Sequence, residues 1–81
     1  MTAVYRIQSV CECQAILEAE LDENHLVVHG SARRPSGEQG SAPANSVGRG
    51  EHFDVVWQCP MCGRNTLRSF YAGALSRLPA A

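Results

Sequence analysis

Two stretches of this chain alternate apolar and polar residues with a period of two, and each runs into a pair of cysteines. In the first, Tyr5, Ile7 and Ser9 alternate with Arg6 and Gln8. With Val4 and Val10 also favouring extended backbone, this predicts a strand over Ala3–Val10. Beyond Cys11-Glu12-Cys13, Ala15, Leu17, Ala19 and Leu21 share one face, while Glu18, Glu20 and Asp22 share the other. A half-buried strand over Gln14–Leu21 is predicted. Ala, Leu and Glu also favour helix. The strict alternation, and the turn-like Asp22-Glu23-Asn24-His25 that follows, decide for a hairpin returning through Leu26–His29. In the second stretch, Phe53, Val55 and Trp57 line one face of a strand over Phe53–Gln58, and Thr66–Tyr71 returns antiparallel. Ala72–Leu78 reads as two turns of helix stopped by Pro79, with Tyr71, Leu75 and Leu78 along one face. The expected core is Val4, Tyr5, Ile7, Leu17, Leu21, Leu26, Val28, Phe53, Val55, Trp57, Leu67 and Phe70.

Between these halves the pattern changes. Residues 30–50 hold five glycines, two prolines and four serines, with Val47 the lone hydrophobic β-former. Such a stretch buries too little apolar surface to offset its ordering entropy. The expectation is one domain in three parts: a first hairpin over 1–29, a flexible and dispensable loop over 30–50 and a second hairpin with its helix over 51–81. Arg33, Arg34 and Arg49 are then either solvated or a flexible basic arm.

Composition narrows the class. At 81 residues with net charge −1, no global field favours nucleic acid or anionic membrane. Residues 1–29 sum to −4, residues 30–52 to +1 and residues 53–81 to +2, so the two halves attract each other or the acidic half faces a partner. No apolar run approaches the roughly 20 residues of a membrane span. Met1–Val10 has no basic segment followed by an apolar one, so no signal peptide is expected and the chain reads as cytoplasmic. In a reducing compartment four cysteines point to metal rather than disulfides.

Those cysteines are spaced C-x-C, 45 intervening residues, then C-x2-C. Tetrahedral ligands at ~2.3 Å place sulfurs about 3.8 Å apart, a separation a C-x2-C turn supplies. Pro60 presets one backbone angle of that turn, and Gly63 can take positive φ. Cys11 and Cys13, by contrast, would stand roughly 6.5 Å apart in a flat strand. A sharp turn at Glu12 is therefore required, with Glu12 itself facing solvent. The ligand set is Cys11, Cys13, Cys59 and Cys62. The alternative uses of these positions are a small buried cysteine in place of Cys11 or Cys13, and one of His25, His29 or His52 as a substitute ligand. Trp57, two residues before Cys59, either caps the core or serves as an exposed anchor.

Cys59-Pro60-Met61-Cys62-Gly63 resembles the C-P-x-C-G knuckle shared by zinc ribbons and rubredoxins, and Phe53–Tyr71 carries most of the likeness. The resemblance implies a small metal-bound β fold of antiparallel hairpins with two cysteine knuckles. It also implies a structural Zn2+, or Fe in a rubredoxin-like site. The C-x-C half departs from the usual C-x2-C.

No nucleophile–base set, phosphate loop or open metal position is recognisable, so no enzyme is expected. The leading expectation is a zinc-binding interaction module that docks on a larger protein. A nucleic-acid-binding zinc ribbon, using Arg64, Arg68 and Tyr71 or Trp57, and a rubredoxin-like electron carrier are the alternatives.

Overall fold

The structure, a computed structural model, describes residues 2–48 and 50–78. The described chain is antiparallel β. Its strands are β1 (Tyr5–Val10), β2 (Ile16–Leu21), β3 (Val27–Arg33), β4 (Gln39–Ser41), β5 (Ala44–Val47), β6 (His52–Gln58), β7 (Asn65–Tyr71) and β8 (Ser76–Arg77). One sheet has the order β4-β3-β2-β1-β8 and the other the order β5-β6-β7.

The alternation read from the sequence sets which faces meet. Ile7 and Ser9 of β1, and Leu17, Ala19 and Leu21 of β2, turn inward from the first sheet. Phe53, Val55 and Trp57 of β6 turn inward from the second and share one core with Ile7, Leu17, Ala19 and Leu21. Trp57 is fully buried, and its indole N–H donates to the Glu18 carbonyl at 3.1 Å, tying β6 to β2 across the core. Burial of a ring this large with its N–H satisfied contributes strongly and costs no orphaned donor. The β2–β3 turn is held by Asp22, whose Oδ1 accepts the N–H groups of Asn24 at 2.8 Å and Leu26 at 3.0 Å.

Three expectations fail here. Residues 30–50 do not form a loose loop: they contain the second half of β3, all of β4 and β5, and the buried Ala32 and Ala42. The small residues are there because chains approach closely. A Cβ on Gly30 would lie 2.2 Å from the Ala42 carbonyl oxygen. The β3–β4 hairpin turns over Pro35-Ser36-Gly37, with Gly37 at φ 101° and the Gly37 N–H donating to the Arg34 carbonyl at 2.9 Å. Arg49 lies outside the described residues.

The C-terminal helix is also absent. Ala72–Ala74 make a single 3-10 turn that no side chain caps. The chain then leaves it to pair along β1, with Arg6 opposite Ser76 and the Leu78 N–H on the Val4 carbonyl at 2.9 Å. An open sheet edge competes with a two-turn helix, and the helix carries Gly73 in its interior. The stop expected at Pro79 lies outside the described residues. Finally, Leu26, Val28 and Leu67 are exposed rather than core, because they fall on the outer faces of their sheets or in a turn. No helix among the described residues is long and apolar enough to cross a membrane.

Candidate metal centre

Each knuckle is the tip of a hairpin, one from each sheet. The β1–β2 tip carries Cys11 and Cys13; the β6–β7 tip carries Cys59 and Cys62. Both tips close the same way. At the second, the Gly63 N–H donates to the Cys59 carbonyl at 2.8 Å, Gly63 takes φ 77°, and the Cys59 N–H reaches the Arg64 carbonyl at 2.9 Å. At the first, the Gln14 N–H donates to the Cys11 carbonyl at 2.8 Å, Gln14 takes φ 73°, and the Cys11 N–H reaches the Ala15 carbonyl at 2.9 Å. The first knuckle is thus the second shortened by one residue, with Gln14 in the left-handed position that Gly63 fills. This is the sharp turn that C-x-C required.

Left-handed backbone costs a residue with a Cβ about 1–2 kcal/mol, part of which glycine returns through its freer unfolded chain. Gln14→Gly is therefore expected to stabilise the metal-loaded protein by up to about 1 kcal/mol, raising Tm by a few degrees in a thermal melt. A lower Tm would show that the Gln14 side chain makes a contact worth more than the strain.

The four sulfurs lie within 4.8 Å of one another. Cys11 Sγ is 3.4 Å from Cys62 Sγ, and Cys13 Sγ is 3.6 Å from Cys59 Sγ, so each close pair joins one knuckle to the other. Those separations are close to the ~3.8 Å of a tetrahedral site with 2.3 Å bonds. Cys11 and Cys59 are buried, Cys13 is half-buried and Cys62 is exposed. The four cysteines are positioned to bind a metal ion, and no histidine joins them. His25 stacks on Phe53 at 5.0 Å instead, and His52 sits against Tyr71.

The surroundings of the sulfurs fit a cation. The Cys13 N–H bonds Cys11 Sγ and holds that thiol below its ordinary pKa against the opposing effect of burial; Thr66 also bonds it. The Ala15 N–H bonds Cys13 Sγ and, with Arg34 beside it, lowers that thiol to about 6. At Cys62 the Arg64 N–H acts in the same direction, but the neighbouring Cys11 sulfur, burial and the other two sulfurs push the thiol up to about 11. In all three cases the donor is the N–H two residues on. Thiolates this close repel one another, and the cluster can be fully ionised only around a cation.

Three supporting residues were not legible in the sequence. Gln14 shows no left-handed signal, since glutamine is not a turn residue. Arg34, expected in a loose loop as either a solvated charge or part of a basic arm, lies beside Cys13 because residues 30–41 form the β3–β4 hairpin. Gly40 of β4 faces Pro60 of the second knuckle, where an added Cβ would sit 3.5 Å from the proline ring. Glu12 does face solvent as expected, and it forms an ion pair with Arg64 across the two knuckles. Comparison of the chain with protein-family models, with curated proteins and with solved structures returned no significant match.

Proposed function

We propose that this chain is a non-enzymatic, protein-binding β module stapled by one Zn2+ on Cys11, Cys13, Cys59 and Cys62. The observation that carries the reading is the convergence of four sulfurs from the hairpin tips of two different sheets. A tetrathiolate leaves no ligand position for water, so such an ion holds structure and does no chemistry. Glu12 is engaged with Arg64 and does not face the sulfurs as a base. Three arginines around the site are paired with carboxylates, Arg33 with Glu18, Arg34 with Glu38 and Arg64 with Glu12, which leaves less free positive charge for nucleic acid and favours a protein partner. The docking side is the flank where Val10 and Leu67, both well exposed, border the knuckles with Glu12 and Arg64.

Elemental analysis of natively purified protein is expected to return one zinc per chain and no iron, with no visible thiolate-to-iron absorption. Cys59→Ser is expected to lose the ion and Glu12→Ala to keep it. Stoichiometric iron with charge-transfer bands would replace this reading with an electron carrier. Salt-sensitive retention on nucleic acid, with no captured protein, would replace the protein partner.

A further inference from the structure

Among the described residues, β7 is the longest strand edge without a partner. β4 and β8, at the ends of the first sheet, have three and two residues, whereas β7 has seven and pairs with β6 along its whole length. The ladder fixes which backbone groups are open. The Cys59 N–H donates to the Arg64 carbonyl and the Ala72 N–H to the Glu51 carbonyl. In an antiparallel ladder the groups facing the partner strand then belong to Thr66, Arg68 and Phe70, and those of Asn65, Leu67, Ser69 and Tyr71 point away. Natural edges of this kind are usually blunted by proline, charged side chains or a bulge. β7 has no proline and an unbroken register, and its one charge is Arg68, on the face it shares with Val55. On its outer face Leu67 is 63% and Tyr71 46% exposed, two positions either side of Ser69.

We infer that β7 pairs antiparallel with β7 of a second copy of this chain, centred on Ser69. The inference rests on the protein-binding reading and names its partner. Side-chain complementarity selects both the partner and the register. Centred on Ser69, Leu67 of each copy lies opposite Tyr71 of the other, next to Val56 and His52 of the adjoining β6 strands. Arg68, the single charge on the strand, then lies opposite Phe70, an arrangement favourable to a cation. Centring on Arg68 would set two guanidiniums face to face. Centring on Leu67 would leave Tyr71 opposite Gly63, beyond the strand. The result is an isologous dimer with a continuous six-stranded sheet.

The test is sedimentation of the metal-loaded full chain from low to high micromolar concentration, with Ser69→Pro and Leu67→Lys beside it. The Ser69 N–H points away from β6, so proline there spares the ladder. It removes the two central intermolecular hydrogen bonds. The wild type is expected to dimerise, and Ser69→Pro to weaken the dimer by about tenfold or more while metal content and amide dispersion stay unchanged. Leu67→Lys, on the outer face, gives the same readout should proline disturb the strand. In a mixed-label sample, contacts from Leu67 methyls of one copy to the Tyr71 ring of the other would fix the register. A wild type monomeric throughout, a dimer that survives both substitutions, or intermolecular contacts at another segment overturns the inference. A monomer that still captures a different protein sinks the dimer alone; a monomer that captures nothing sinks the protein-binding reading as well.

Discussion

A variant in which a short Gly/Ser linker replaces residues 30–50 is expected neither to fold nor to hold metal. The segment supplies backbone partners to both sheets. Gly30–Arg33 pair with Ile16–Ala19 of β2, and Ala44–Val47 pair with Asp54–Trp57 of β6. β2 and β6 are the strands that carry Leu17, Leu21, Val55 and Trp57, all fully buried. Stripping one side of each leaves backbone N–H and C=O groups without partners, at about 1–3 kcal/mol for each that stays buried. A few such groups match the whole stability of an ordinary domain, about 5–15 kcal/mol. Ala32 and Ala42 leave the core at the same time, and Arg34 is lost from beside Cys13 and Gly40 from beside Pro60. Amide dispersion and metal content of the purified variant are the measurements. A variant that keeps a dispersed spectrum and one bound ion would show that the segment contributes nothing the two hairpins lack.

Metal removal is expected to have an effect of similar size. Structural zinc contributes about 10–16 kcal/mol in small fingers near neutral pH, at or above the total stability expected of a domain this size. Chelator should therefore abolish the dispersed amide spectrum and the emission of buried Trp57 together, and zinc should restore both. Trp57 reports directly because it lies two residues from Cys59 on β6 and binds the Glu18 carbonyl of the opposite sheet. The pH dependence has a definite sign. Cysteines bind a metal ion as thiolates, so protons compete with the ion. The stabilisation is present at neutral pH and is lost as pH falls. A reduced, metal-free chain with a native spectrum would overturn the central role given to the ion.

β7 was legible as the return of the second hairpin, and the other legible strands are those whose two faces differ in polarity. β1, β2 and β6 alternate large apolar with charged or polar side chains, and their inward residues follow that alternation. Residues 30–47 were not legible as strands, although Val27–His29 of β3 were, because their inward positions are Gly30, Ala32, Ala42 and Ala44, residues chosen by the narrow gap between chains. Small side chains at a close approach have the same composition as a linker, and only tertiary contact separates the two. Leu67 and Val28 misled in the opposite sense, as large apolar residues on outer faces. At the site, cysteine spacing was enough to pair the knuckles. It could not reveal Arg34, whose position depends on a hairpin the composition concealed.

The separation of the two knuckles along the chain has a thermodynamic consequence. Cys59 and Cys62 are neighbours even in a disordered chain, and so are Cys11 and Cys13. Either pair can keep an ion when the domain melts, and affinity retained by the unfolded chain subtracts from what the ion adds to stability. What a melted chain cannot keep cheaply is the span from Cys13 to Cys59. For a disulfide closing a loop of that length, chain-entropy estimates give about 4 kcal/mol. An ion held by all four sulfurs would therefore stabilise this domain through the difference between two sulfurs and four. That difference resides in the contacts joining one knuckle to the other, and neither half-site possesses it alone.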